Sequence, residues 1–123
     1  MSKMSTKTDN LENRLISFAV SIVVLSSQLP KTLQGRHVCG QILRSGTAAA
    51  ANYGEARGAE SRADFIHELK VVYKELNETT VWLEVIARSS LISSESIVAL
   101  VAENRELCKI IGASITTARA IQK

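Results

Sequence analysis

The sequence predicts an all-α protein, an antiparallel up-down-up-down bundle of four helices. Three observations predict it. Apolar residues recur at alternating three- and four-residue steps in four separate stretches. The connections between those stretches are short, which favours antiparallel neighbours. One proline and six glycines in 123 residues are too few turn formers for an all-β chain. A chain of this length buries roughly two thirds of its unfolded surface, enough for one core. The predicted organisation is a disordered tail over residues 1–8 and a single bundle domain over 9–123.

The first helix starts behind Asp9 or Asn10, either of which can cap it, with Glu12 in its first turn. Leu11, Leu15, Phe18, Ile22, Leu25 and Leu29 form one stripe, and Pro30 ends the helix by excluding the α conformation before it. Ile16, Ala19, Val20, Val23 and Val24 form a second apolar surface beside that stripe. A helix apolar over most of its circumference is buried on more than one side. In so small a domain, a subunit interface accounts for the surplus, with Ile16, Val20 and Val23 as its candidate residues.

The second helix is predicted from about Thr32 to Arg57, with Leu33, Val38, Ile42 and Leu43 opening its buried face. Gly46, Thr47 and the alanines 48–51 continue that face with little side-chain volume. Gly40 and Gly46 each cost about 1 kcal/mol relative to alanine in a helix, a cost tolerated where a neighbour must come close. Gly58 suits a left-handed helix end. Ser61 with Asp64 gives a capping-box-like start to the third helix. Its predicted buried face is Phe65, Leu69, Val72, Leu76, Thr79, Leu83 and Ile86, with Ile66 and Tyr73 beside it. Around Arg88 to Ser94 the pattern breaks into serines, a loop, and Ser93 or Ser94 caps the fourth helix. That helix repeats Ile97, Leu100, Asn104, Leu107, Ile111, Ser114, Ala118 and Ile121, with Val101, Cys108 and Ile115 alongside.

No residue pattern points to a reaction. A di-metal bundle site needs two Glu-x-x-His pairs. His67 follows Asp64 at that spacing, but His37 has no acid three residues before it. His37 and Cys39 lie two apart on a helix and face apart, so neither activates the other. No nucleophile-elbow, P-loop or dinucleotide glycine pattern occurs. No catalytic residue, metal ligand or cofactor is therefore expected, and the protein is not read as an enzyme. Cys39 and Cys108 sit among apolar residues, where a small core filler is the commoner role. Without a C-x-x-C pair or a secretory signal they imply a reducing, cytoplasmic setting, and the apolar run from Ile16 to Leu25 is too short for a membrane span.

The polar residues of the second and third helices carry more information. Arg44, Asn52 and Glu55 can form an inter-helix network with Glu75 and Glu78 that fixes register. The net charge of +3 permits a nucleic-acid partner without demanding one. Basic residues prevail from Lys31 to Arg62, and acidic ones from Ala63 to Arg88. Arg36, Arg57 and Arg62 are the candidate nucleic-acid contacts, the last two flanking one turn. A solvated surface is the commoner reading of such a corner, although a ring of copies would enlarge it.

Four segments together carry a family resemblance: Q-x-L-R-S-G-T at Gln41–Thr47, A-N-Y-x-E-A at Ala51–Ala56, S-x-x-D-F-I at Ser61–Ile66 and E-x-N-E-T-x-x-W-L-E at Glu75–Glu84. In order and spacing this resembles the bacterial four-helix bundle family known from intervening sequences of 23S ribosomal RNA genes. The resemblance implies a left-handed bundle that assembles into a homo-oligomeric ring, a homopentamer. The fold is also similar to the accessory variability determinant of diversity-generating retroelements, a basic pentamer that binds nucleic acid and its reverse transcriptase. Here Ala48–Ala51 replace bulkier or mixed residues, and the net charge of +3 is lower than in the retroelement proteins. The expected function is a non-enzymatic, self-assembling scaffold or an accessory to RNA or DNA. The alternative is a protein–protein interaction module with no nucleic-acid role.

Overall fold

Each of the four apolar stripes becomes a helix in the computed structural model, which describes residues 7–93 and 95–122. The helices are α1 (Lys7–Ser27), α2 (Leu33–Arg57), α3 (Arg62–Ser89) and α4 (Glu95–Gln122). Consecutive helices pack side by side, and α1 also touches α4, so the four form a closed cycle of neighbours. Contacts run in opposite senses along each pair. Ile22 meets Gly46 midway along α1 and α2, whereas Arg57 near the end of α2 reaches Glu12 near the start of α1. Asn104 meets Leu76, and Gly112 meets Tyr73, which sets α3 and α4 antiparallel. This is the up-down-up-down bundle.

The helix ends follow from local chemistry. Thr32 accepts a hydrogen bond from the Gly35 N–H at 3.0 Å and opens α2. Gly35 must be glycine because a β-carbon there would lie 2.0 Å from the Pro30 carbonyl oxygen. Ser61 caps α3 by accepting from the Asp64 N–H at 3.0 Å. Two ends differ from expectation. Helix α1 begins at Lys7, ahead of Asp9 and Asn10, so neither is its cap; Asp9 stands within the first turn. Gly58 ends α2 with φ of −96°, not left-handed. The left-handed position falls at Ser90 instead, with φ of 56°. Residues 1–6 of the expected tail, and Ser94 as an expected cap, lie outside the described residues.

The core is aliphatic. Leu15, Phe18, Ile22 and Leu25 of α1 interlock with Ile42, Ala49 and Tyr53 of α2, Leu69 to Ile86 of α3 and Leu107 and Ile111 of α4. Each fully buried side chain of this kind contributes about 1.5–3 kcal/mol, against about 0–1 for an exposed ion pair. The stripes therefore hold the bundle together.

Several expected core positions are not core. Leu33, in the first turn of α2, is 83% exposed, and Leu43, Tyr73 and Ile121 are also exposed. Ile115 takes the place expected for Ser114. Ser114 instead returns its hydroxyl to the Ile110 carbonyl at 2.9 Å. The reason is geometric: at 3.6 residues per turn, a strict seven-residue repeat drifts off the core, and a four-residue step from Ile111 restores it.

Candidate functional site

Between α2 and α3 a polar rim borders the core. The Arg44 guanidinium donates to Glu75 at 3.3 Å and also to Glu78. The Trp82 indole N–H donates to the same Glu78 carboxylate at 3.2 Å. His37 packs edge-on against Trp82, with ring centroids 5.9 Å apart. The Arg44 bond, helped by the indole, holds the Glu78 carboxyl below its ordinary range, and the carboxylates raise Arg44 further. Inside this rim the Thr79 hydroxyl donates to Ser45 at 2.9 Å, both residues fully buried. The structure thus brings Arg44, Glu75 and Glu78 together. Asn52 and Glu55 do not join them: Glu55 is exposed, Asn52 half-buried, and neither side chain is hydrogen-bonded among the described residues.

The basic corner is divided. Arg57 donates to Glu12 at 2.5 Å and pairs with Asp9 at 2.7 Å, so two α1 carboxylates compensate it. Those bonds raise the Arg57 pKa, and burial raises that of Tyr53. Arg62 lies over the Phe65 ring, 5.8 Å from its centroid, with its charge still exposed. Arg36 is exposed in the first turn of α2, about 30 Å along the helix from Arg57. The three arginines do not form one patch on the single subunit.

Among the described residues, α1 exposes more large apolar side chains than any other helix. Ile16, Val20, Val23 and Val24 are all about half exposed, Val20 most at 56%. From Leu15 to Leu29 the helix and its end carry no charged residue. Beside this face α1 and α4 stand apart, less extensively packed than any other neighbouring pair. A groove of about 500 Å³ opens there, lined by Ser17, Val20, Ser21 and Val24 of α1 and by Ala99 and Glu103 of α4. At its end Arg14 holds Glu103 through two hydrogen bonds of 2.7 and 2.8 Å. The α4 half of this groove was not legible in sequence. Ala99 in the first turns of α4 was the available signal, since a small residue on a flank leaves space.

Asn104 is a polar member of the otherwise apolar stripe of α4. It is fully buried, and its amide donates to the Leu76 carbonyl at 3.0 Å and to Thr80 at 2.5 Å. Its carbonyl oxygen has no partner among the described residues. Flipping the amide would set that oxygen against the Leu76 carbonyl, so the orientation is fixed. Cys108 contacts Asn77 nearby, and burial pushes its thiol pKa up, away from the reactive thiolate. Among the described residues, no three His, Cys, Asp or Glu side chains cluster closely enough to hold a metal ion. None of the helices described is long and apolar enough to cross a membrane.

Fold and surface define an all-helical bundle with a saturated core, a polar seam between α2 and α3, and one uncharged face left open. The sequence profile of the family described as 23S rRNA-intervening sequence protein matches residues 10–113, and the chain belongs to that family. A crystal structure at 1.70 Å, of a protein with unknown function from the S23 ribosomal protein family of Bacteroides thetaiotaomicron VPI-5482, is 37% identical in sequence. It superposes with a TM-score of 0.83 over 90% of this chain and 99% of that one. No curated protein matches this chain.

Proposed function

We propose that this protein is a non-enzymatic, homo-oligomeric scaffold whose subunits associate through the outer face of α1. The observation that carries the reading is the uncharged α1 surface centred on Val20, 56% exposed beside an open groove. Apolar surface removed from water contributes about 25 cal/mol per Å², and a contiguous exposed patch of this kind marks an interaction site. The ring of five that the family resemblance implies is the assembly this reading favours. A reducing, cytoplasmic setting suits its two free thiols.

Static light scattering tests the proposal. The wild-type chain is expected at a multiple of 13.4 kDa. Val20→Glu is expected at the single-subunit mass with its helical circular dichroism retained, because the substituted side chain faces water in the subunit. A monomeric wild type would end the proposal.

A second reading, association with RNA or DNA, rests on Arg36 and Arg62, exposed and without an acidic partner among the described residues. In an assembly their charges repeat around the particle, and each phosphate contact releases counterions. Electrophoretic shift with structured ribosomal RNA fragments at two salt concentrations separates the readings. Absence of a shift at low salt, or a shift unchanged by Arg36→Glu with Arg62→Glu, leaves the scaffold without a nucleic-acid role.

A further inference from the structure

We infer that Asn104 is a positioning residue, which locks α4 to α3 in one of several registers that their apolar stripes would otherwise accept.

The stripes themselves are nearly indifferent to a shift of one heptad. On α3, Leu69, Leu76 and Leu83 stand seven residues apart, as do Val72, Thr79 and Ile86, and all are buried. On α4, Ile97, Asn104 and Ile111 stand seven residues apart, as do Leu100 and Leu107, and these too are buried. Sliding α4 along α3 by one heptad, about 10 Å, sets aliphatic side chains against aliphatic side chains again. Hydrophobic burial is non-directional and does not choose between such arrangements. The connection does not choose either. From Ser89 to Glu95 the chain reaches about 20 Å when extended, further than the shift and the helix spacing together demand. Among the described residues no ion pair joins α3 to α4. Arg14 with Glu103 ties α4 to α1, but as a surface pair of small worth.

Asn104 breaks the repeat. Its buried amide donates to the Leu76 carbonyl at 3.0 Å and to the Thr80 hydroxyl at 2.5 Å. A shift of one heptad puts Leu69 and Tyr73, or Leu83 and Ala87, where Leu76 and Thr80 stand. Alanine has no hydroxyl, and tyrosine carries its own at the far end of a ring. In either shifted register a buried N–H of Asn104 loses its side-chain acceptor. Leaving such a group unpaired costs more than the bond contributes when made. The Asn104 carbonyl oxygen is buried without a partner among the described residues, so the contact selects a register more than it stabilises the fold. A single buried asparagine in a heptad stripe fixes register in coiled coils in the same way.

Amide-resolved NMR of Asn104→Leu, which keeps the side-chain size and removes the polar groups, tests the lock. Wild type is expected to give one set of backbone amide resonances. Asn104→Leu is expected to give two or more sets for residues of α4, with a urea midpoint raised by about 0.5 M. Two sets in the wild type, or one in Asn104→Leu whatever its midpoint, overturn the assignment, because the stripes would then behave alike with and without the asparagine. Should Asn104→Leu fail to fold, Thr80→Val takes its place, removing the acceptor and keeping the shape. It is expected to lower the urea midpoint by about 0.5 M and to speed hydrogen exchange of the Asn104 side-chain amide by about tenfold or more. Unchanged exchange overturns the assignment.

Discussion

The two flanks of α1 are built on different principles. Toward α2 the helix meets Gly46, where a β-carbon would lie 2.7 Å from an Ile22 methyl group. Gly46, Ala49 and Ala56 are buried small residues of α2, and Ser45 is buried against Thr79 of α3. Toward α4 the helix meets a groove of about 500 Å³ and one surface ion pair, Arg14 with Glu103. Small residues let α2 be drawn into its neighbours. Side-chain volume sets interhelical distance, so the close approach at Gly46 is open to the α1–α2 flank and not to the adjoining α1–α4 flank. The tight flank specifies the fold; the slack flank is available to another molecule.

The largest effect expected from this difference is a contrast in tolerance to added volume. Gly46→Leu is expected to destabilise the fold by about 3 kcal/mol, since overpacking a filled contact displaces Ile22 from its rotamer. Ser21→Leu, which adds comparable volume to the groove, is expected to change folding stability by less than about 0.5 kcal/mol. Urea denaturation of both, in the Val20→Glu background, keeps assembly out of the comparison. Equal losses at the two positions would show the flanks to be equally packed.

Much of the tight flank was legible in sequence and little of the slack one. The small-residue run from Gly46 announces close approach because a missing side chain on an apolar stripe has few other uses. The stripes of α1 and α3 were legible for the same reason: 3.6-residue periodicity reports burial directly. Leu33 and Leu43 show where that logic fails, since an apolar residue at a stripe's edge or in a first turn need not reach the core. The partners of Arg57 were hidden by sequence distance. Counting outward from the Ile22–Gly46 contact along antiparallel helices brings Arg57 to the first turns of α1, where Asp9 and Glu12 stand. That inference needs the register, which only the contact supplies. The face of α1 was visible as surplus hydrophobicity, whereas the groove required knowing how far α4 stands from α1.

A smaller effect separates two glycines on the same helix. Among the described residues, Gly40 has no heavy atom within 4 Å of where its β-carbon would be, unlike Gly46. Close approach was expected at both, and only Gly46 has it. Gly40→Ala is therefore expected to stabilise the protein by about 1 kcal/mol, the helix-propensity difference alone. Thermal unfolding checks this. A loss of stability would mean that the outer side of α2 at Gly40 is covered in the assembled protein.

The smallest effect concerns the rim of the tight flank and depends on pH. Arg44 donates to Glu78, Trp82 donates to the same carboxylate, and these bonds hold its pKa below the ordinary 4.5. A carboxyl whose folded pKa is depressed contributes stability above its unfolded pKa and loses it as pH falls through the folded value. Wild type is thus expected to exceed Glu78→Gln slightly at pH 7, and the difference to vanish progressively below pH 4.5. The effect stays small because Arg44 remains 52% exposed and water screens the pair. Urea midpoints for both proteins at pH 7 and pH 3 measure it. A difference that persists unchanged at pH 3 would place the contribution of Glu78 in packing against Trp82 and not in its charge. The rim would then work by the same shape-filling as the seam it borders.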